Sequence, residues 1–186
     1  SAASRISEVF YFIPSIIVIS FFPKLLKLKK GQPEEYNISF QAVLDTLVLI
    51  SLPVVIFFTV FGDNVVQLLF GKEFLQSSDV LIIHIWASIP VFLGFASTRW
   101  LIAAGLQKII FIKTICACIL NIILNILLIP GYGAIGAAIA TVISQCVVTF
   151  VPDFFFPPAK QIFIMKLKTL NIFTSIYRLY KHQISK

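Results

Sequence analysis

The residues that could do chemistry are a few ionisable side chains in or beside long apolar stretches. Arg5 and Glu8 stand one helical turn apart at the start of the first stretch, and His84 lies inside a later one. Asp45 and Arg99 each lie near the end of a stretch. Charge in apolar surroundings is costly unless it is paired or reaches water. We therefore expect each of these side chains either to bind a ligand or to stabilise the local structure.

Each of these side chains also has a structural interpretation. Arg5 and Glu8 could form an i, i+3 ion pair that eases the helix into the interface. Asp45 is close enough to the end of its stretch to be solvated, which we favour. A lone residue such as His84 is more often a helix-packing residue than a titrating one. The Arg99 side chain can snorkel to the interface.

A neutral polar group lies deeper in the apolar sequence. Asn121 and Asn125 share one helical face, one turn apart, and Thr141 follows in the next stretch, with Ala137 one turn before it. Polar side chains at that depth need partners. Hydrogen bonds between helices, worth about 1 kcal/mol each, would satisfy them.

Other chemistries are disfavoured. The sequence contains no catalytic motif and no nucleotide-binding loop, which argues against an enzyme and against internal ATP hydrolysis. Cys116, Cys118 and Cys146 lie inside apolar stretches without clustered His or acidic residues. There, cysteine behaves as a small hydrophobe. We therefore expect neither a disulfide framework nor a metal site at these cysteines. No cofactor is predicted.

The composition is that of an all-α integral membrane protein. Hydrophobic residues make up 59% of the chain and charged residues 12%, with a mean hydropathy of +0.97. Soluble proteins contain about 25% charged residues. Stretches near the roughly 20 residues that cross a bilayer predict about five transmembrane helices. The predicted spans are residues 6–22, 41–61, 80–100, 109–129 and 134–151.

Proline and glycine residues shape these predicted spans. Pro14, Pro53 and Pro90 lie inside the first three spans, where a missing N–H and a ring clash favour kinks. Between the last two spans, Pro130 and Gly133 permit a tight reversal. Small residues then give the fifth span a face that another helix can approach closely. The sequence thus predicts a helical hairpin as its clearest element.

The net charge of +7 is distributed as the positive-inside rule requires. Arg5 and Lys72 fall on one side of the predicted spans, and the other thirteen basic residues fall on the opposite side. Four lysines, at 24–30, occupy a predicted short loop, and residues 153–186 form a basic amphipathic tail. We therefore predict a cytoplasmic C-terminus, with the tail on the anionic leaflet. Nucleic-acid binding is disfavoured, because it needs a basic face without membrane spans.

The pattern N-x-x-x-N-x-L-L-I-P-x-Y-G-A-I-G-A-A-I-A-T, from Asn121 to Thr141, resembles the last two helices of polysaccharide flippases. These are the O-antigen and exopolysaccharide translocases of the multidrug/oligosaccharidyl-lipid/polysaccharide exporter superfamily. The likeness runs from about Ser1 to about Pro152. It implies a parent of about twelve helices, of which these five would form most of the C-terminal lobe.

The resemblance also implies site residues. The related lipid II flippase opens the corresponding helix with A-x-R-x-x-E before a Pro-containing run, matched here by Ala3, Arg5 and Glu8. The family's Arg at that place faces the central cavity and is important for transport. Arg5 is therefore a candidate contact for a substrate pyrophosphate, with Glu8 beside it as a further candidate substrate-binding residue. Arg99, near the cytoplasmic end of its span, is a candidate on its position, for a phosphate-bearing substrate.

A coupling ion, Na⁺ or H⁺, is implied in the same way. Asn121, Asn125 and Thr141 resemble a sodium site of the lipid II flippase, which is built from polar residues on the penultimate helix plus a backbone carbonyl and a Thr hydroxyl on the last. Asn125 occupies the place of a family carboxylate. This departure from the family pattern weakens the implied ion site.

The resemblance implies a flippase for undecaprenyl-pyrophosphate-linked oligosaccharide units of O-antigen, capsule or exopolysaccharide, working by alternating access in the bacterial inner membrane. Its partners would be the lipid-linked oligosaccharide, membrane lipids, a polysaccharide polymerase and a chain-length regulator. One alternative is a multidrug or cation antiporter of the same superfamily, although the buried ionisable groups lean basic. The others are a membrane-embedded glycan polymerase or acyltransferase and, ranked last, a helical scaffold.

Overall fold

Helices joined by short turns build the part of the chain that the structure describes. The computed structural model describes the backbone of residues 8–184 and the side chains of residues 8–75 and 77–181. The α-helices that lie wholly within this range are α1 (Phe12–Gly31), α2 (Pro33–Phe70), α3 (Ser78–His84), α4 (Ser88–Ala103), α5 (Gln107–Phe155), α6 (Lys160–Thr169) and α7 (Ile172–Ile184). Short 3-10 segments occupy Lys72–Ser77, Ile85–Ala87 and Pro157–Ala159.

The surface of the bundle is apolar over much of its length. Three helical stretches are long and apolar enough to cross a membrane: α2, the stretch Ser78–Ala103 that contains α3 and α4, and α5. Large side chains such as Leu68, Ile126 and Leu127 are exposed on the outside of the bundle. The protein is therefore an all-α, multi-pass membrane protein. The count of five spans stays a prediction, because the first predicted span begins outside the described residues.

Helix α5 is a hairpin of two antiparallel arms. A straight helix of its 49 residues would be about 73 Å long, more than twice the thickness of a bilayer core. The chain instead reverses at Gly133, whose φ of 55° and ψ of −131° are not helical. Asn121 then lies beside Ser144, and Lys113 beside Asp153. The predicted reversal is thus present, centred on Gly133.

Gly136 allows the two arms to close directly after the reversal. A Cβ atom at this position would lie 2.5 Å from the carbonyl oxygen of Leu128 on the opposite arm. Real Cβ atoms essentially never approach another heavy atom so closely. The small residues of the second arm therefore bring the two backbones into contact, as expected for helices that pack in lipid.

Two of the three predicted proline kinks coincide with breaks in the helices. The chain forms a turn at Phe10 and Tyr11, four and three residues before Pro14. A 3-10 segment, Ile85–Ala87, spans the position four residues before Pro90. The proline ring clashes with the carbonyl four residues earlier and removes its hydrogen bond, which explains both breaks. Helix α2, in contrast, runs through Pro53 without interruption.

The structure corrects two predicted loops. The lysines at 24–30 lie in the last two turns of α1 and not in a loop, and Gln32 alone separates α1 from α2. Pro33 begins α2, where its missing N–H costs nothing. The chain after residue 61, which the predicted spans leave as a connection to residue 80, starts as a continuation of α2, which ends only before Gly71 (φ 89°).

The tail packs into the bundle and does not lie free. Ile162 of α6 is fully buried and Met165 nearly so, in one core cluster with Leu44 of α2 and Leu93 of α4. Lys29, Lys113, Lys166 and Arg178 lie at this end of the bundle, which we call the basic end. Helix α6 is thus part of the folded body.

We predict that Gly136→Ala destabilises the hairpin. The added Cβ has to displace the backbone at Leu128, and overpacking of this kind costs about 1–3 kcal/mol. Gly131→Ala is the matched control, because a Cβ at Gly131 meets nothing within 4 Å. The measurement is the unfolding midpoint of the purified protein in an SDS titration. Equal midpoints for the two variants would show that the arms do not need to approach this closely.

Candidate functional site

The predicted residues at the start of the first span are only partly described. Arg5 lies outside the described residues. Glu8 is exposed, at the beginning of the described helices, and its carboxylate interacts electrostatically with Tyr11 and His84. His84 ends α3, directly before the 3-10 break. The fold thus places Glu8 within electrostatic range of His84, near this break.

Arg99 is half-buried in α4 at the basic end. Its guanidinium carbon lies 5.7 Å from the centroid of the Phe22 ring of α1, a distance that gives a cation–π contact. Within the described part of the chain, no hydrogen bond or ion pair occupies its N–H donors. Arg99 is therefore held in position by an aromatic ring while its five donors stay available to an anion.

The polar residues of the hairpin form a short chain of hydrogen bonds. The Asn125 amide donates to Asn121 Oδ1 at 2.9 Å, and the Asn121 amide donates to Ser144 Oγ at 3.4 Å. Thr141 donates to the Ala137 carbonyl of its own helix, at 2.9 Å. No hydrogen bond joins Thr141 to the Asn pair in the described residues. The structure therefore brings Asn121 and Asn125 together and adds Ser144, which sequence reasoning missed.

Asp153 is the centre of a buried charge cluster at the basic end. It lies in the last turn of α5 and has no exposed surface. Lys113 of the first arm approaches one carboxylate oxygen at 2.7 Å, and Lys166 of α6 donates to the other. Ser97 of α4 adds a hydrogen bond of 3.2 Å. Asp153 thus ties both arms of the hairpin, α4 and α6 together.

Lys166 is the least expected member of this cluster. Its side chain is fully buried, donates to the Thr149 carbonyl and lies 5.2 Å from the Phe150 ring centroid. Burial lowers the pKa of Lys166 to about 8, although Asp153 acts in the opposite direction. Burial therefore disfavours the charged form of this lysine, even though a carboxylate lies beside it.

Asp45 forms a second buried centre between α2, α6 and α7. Arg178 of α7 binds both carboxylate oxygens at 2.8 Å through Nε and Nη2. Gln41, Thr169 and Ser175 donate to Oδ1 at 2.9–3.1 Å. Its hydrogen bond with Asp45 raises the pKa of Arg178. Asp45 is fully buried, so the prediction that it is solvated is wrong: the docked tail covers the end of α2.

Sequence reasoning missed both centres, because their partners are far apart in the chain. Arg178 is 133 residues from Asp45, and Lys113 is 40 residues from Asp153. One signal was available. The tail after Asp153 contains no acidic residue, so a buried cation in it needs a carboxylate from the body of the protein.

We predict that Asp153→Asn lowers the free energy of unfolding by about 3–5 kcal/mol at pH 7, because it removes the counter-ion of the buried Lys166. Asp153 raises the pKa of Lys166, so in the folded variant this lysine should lose its proton below the wild-type value of about 8. The loss should therefore shrink as the pH is raised through about 8, because Lys166 is then neutral in both folded proteins and the wild type also lacks the ion pair. Denaturant unfolding at pH 7 and pH 10 measures both effects.

The double variant Asp153→Asn/Lys166→Met distinguishes the loss of the ion pair from a loss of side-chain packing. It removes both charges, so it should recover a large part of the stability that the single variant loses. Asp79→Asn at an exposed position serves as the control for loss of one carboxylate. A single-variant loss that does not depend on pH, with no recovery in the double variant, would contradict the charged pair.

Comparison with known proteins identifies the family. A family model described as lipid II flippase MurJ matches residues 6–178. The chain is 29% identical over 153 residues to the "Probable low-salt glycan biosynthesis flippase Agl15" of Haloferax volcanii, covering 79% of this chain and 31% of that protein. It is 31% identical over 131 residues to the "Capsular polysaccharide biosynthesis protein CapF" of Staphylococcus aureus, covering 68% of this chain and 32% of that protein. No solved structure matches.

The chain thus spans about a third of the length of these two relatives. The matches confirm the resemblance to the exporter superfamily. They also confirm that the chain comes from a family of membrane transporters and not of enzymes. Since the family model covers nearly the whole chain, the chain belongs to the lipid II flippase MurJ family.

Proposed function

We propose that this chain is part of a flippase for lipid-linked glycans, and more narrowly for undecaprenyl-pyrophosphate-linked oligosaccharides of O-antigen, capsule or exopolysaccharide. The family match over residues 6–178 carries the proposal. The two relatives support it, since one is named a glycan biosynthesis flippase and the other a capsular polysaccharide biosynthesis protein. A pyrophosphate lipid needs a cationic contact on its path through the bilayer.

Arg99 is the described residue that best suits this contact. The guanidinium of Arg178 binds Asp45, and the ammonium group of Lys166 is paired with Asp153. Arg99 has no such partner in the described residues and rests on the Phe22 ring. Arginine binds phosphate oxygens through two parallel N–H donors, which suits a pyrophosphate better than a point charge does. We propose that Arg5 and Glu8 contribute to the same path.

The helix breaks support transport by alternating access. The turn at Phe10 and Tyr11 and the 3-10 segment Ile85–Ala87 interrupt two neighbouring elements. Such breaks let half-helices rock without unfolding, as in transporters with discontinuous helices. We propose that these two positions are the hinges of the described part.

We further propose an inner-membrane location with a cytoplasmic basic end, and a polysaccharide polymerase and a chain-length regulator as partners in glycan assembly. The charge asymmetry supports this orientation, since thirteen of the fifteen basic residues fall on one side of the predicted spans. Anionic lipid on the cytoplasmic leaflet favours that side for the basic end.

We predict that the full-length protein carrying this chain restores surface glycan in a bacterial host that lacks its own lipid-linked-glycan flippase. Arg5→Ala and Arg99→Ala should each lower the rate of glycan display by about 10-fold or more, because a charged hydrogen bond contributes about 1.5–3 kcal/mol. Gel laddering of the exported polysaccharide, normalised to protein level, is the measurement. Lys27→Ala, an exposed lysine of α1, is the matched control.

A second host separates the two substrate classes within the family. Rescue of cells depleted of their lipid II flippase, without rescue of polysaccharide export, would replace the proposed substrate by lipid II. Drug resistance without rescue in either host would overturn the flippase proposal in favour of an antiporter. Full activity of Arg99→Ala would remove Arg99 from the substrate path and leave the rest of the proposal standing.

We propose Na⁺ coupling through Asn121 and Asn125, with Thr141 and the Ala137 carbonyl on the facing arm. These neutral oxygen atoms suit a hard cation but supply no carboxylate, so the site should be weak. Replacement of Na⁺ by choline should then slow glycan transport in inverted vesicles, and Asn121→Ala should abolish that dependence. Unchanged transport without Na⁺ would refute the site, whereas the hydrogen bonds of the Asn pair would remain.

A further inference from the structure

A cavity of about 590 Å³ opens at the basic end, between α2, α6 and α7. Its size is that of a small-molecule site. Neither the candidate substrate contacts nor the hairpin polar group lines it. The polar side chains that line it are Asn37, Gln41, Gln161, Lys168, Arg178 and Lys181.

The cavity carries a net positive charge. Arg178 is neutralised by its two hydrogen bonds with Asp45. Lys168 and Lys181 have no ion-pair partner within the described residues, and no acidic side chain lines the cavity. The chain after Asp153 contains no acidic residue either. Two uncompensated ammonium groups at the rim of one cavity suit a ligand with a phosphate group.

The remaining wall of the cavity is apolar. Ile38 of α2 and Ile164 of α6 line it, and these side chains are 58% and 42% exposed. A soluble phosphate has no apolar group that could cover these two isoleucine side chains. In a ligand that joins a phosphate to a hydrocarbon chain, the phosphate can pair with the lysines. The hydrocarbon chain can cover the apolar wall, because burying apolar area stabilises the complex.

Helix α7 is oriented so that lipid can reach this cavity. Ser175 and Arg178 face the body, while Phe173, Ile176 and Tyr180 project outwards with exposures of 87%, 53% and 65%. The polar face is thus the docked one and the apolar face the outer one. An outward apolar face of this kind suits a helix at the boundary between headgroups and acyl chains, where such a face is buried in lipid.

We propose that the cavity between α2, α6 and α7 binds the headgroup of an anionic glycerophospholipid. Lys168 and Lys181 bind the phosphate, the amides of Gln41 and Gln161 lie beside the headgroup, and one acyl chain lies against Ile38 and Ile164. The lipid joins the tail to the bundle at a site separate from the candidate substrate path. The binding does not depend on which glycan is moved.

Native mass spectrometry of the delipidated full-length protein tests this site, with phosphatidylglycerol and phosphatidylcholine of identical chains as probes. The protein should retain phosphatidylglycerol at least 10-fold more tightly. Lys168→Ala/Lys181→Ala should weaken it about 25-fold, since each basic group near an anionic lipid contributes about 5-fold. Both lysines are exposed, so the variant should fold, and its circular dichroism melting curve checks this.

Lys108→Ala/Lys160→Ala is the matched control. It removes the same charge from exposed positions that do not line the cavity, and it should change phosphatidylglycerol binding less than 2-fold. Equal weakening in both double variants, or equal retention of phosphatidylcholine, overturns the site. Displacement by millimolar glycerophosphate overturns it as well, because the acyl contact would then be dispensable. Preferential retention of an isoprenyl phosphate would make the cavity a substrate site and also overturn the proposal.

Discussion

Two buried carboxylates determine how the C-terminal tail is attached. Asp45 and Asp153 have no exposed surface, and a buried carboxylate is stable only with cationic and hydrogen-bonding partners. The tail supplies Arg178 to the first and Lys166 to the second. Undocking of α6 and α7 would leave both carboxylates without these partners. The position of the tail is therefore fixed by these two ion pairs together with the burial of Ile162 and Met165 in the core.

The same constraint links the tail to the hairpin. Asp153 pairs with Lys113 of the first arm as well as with Lys166 of α6. Gly133 sets the reversal, Gly136 lets the arms touch, and the charges at the far end hold the arms in register. These three features lie at different positions along the hairpin. Together they give α5 a defined pairing in lipid, where hydrophobic burial does not drive helices together.

Sequence patterns predicted the features that depend on nearby residues. Apolar run length predicted a bundle of membrane helices, and the Pro–Gly pattern predicted the reversal that the chain makes at Gly133. The burial of Asp45 and Lys166 was not predictable, because it depends on partners as far as 133 residues away. The lysines at 24–30 follow Pro23, a residue type that favours the end of a helix, yet α1 continues through Pro23 to Gly31. Charge density alone does not reveal which lysines are helical.

Arg99 and Arg178 show why residue type alone does not define a functional site. Both lie near the basic end, and both are arginines with the same five donors. Arg178 is bound to Asp45 and to the Thr174, Ser175 and Lys168 oxygens, so its donors serve the fold. Arg99 touches an aromatic ring, and its donors stay open among the described residues. Under the proposed function, an unpaired cation of this kind is the better candidate for a phosphate contact, because an arginine that leaves a buried carboxylate leaves an uncompensated charge behind.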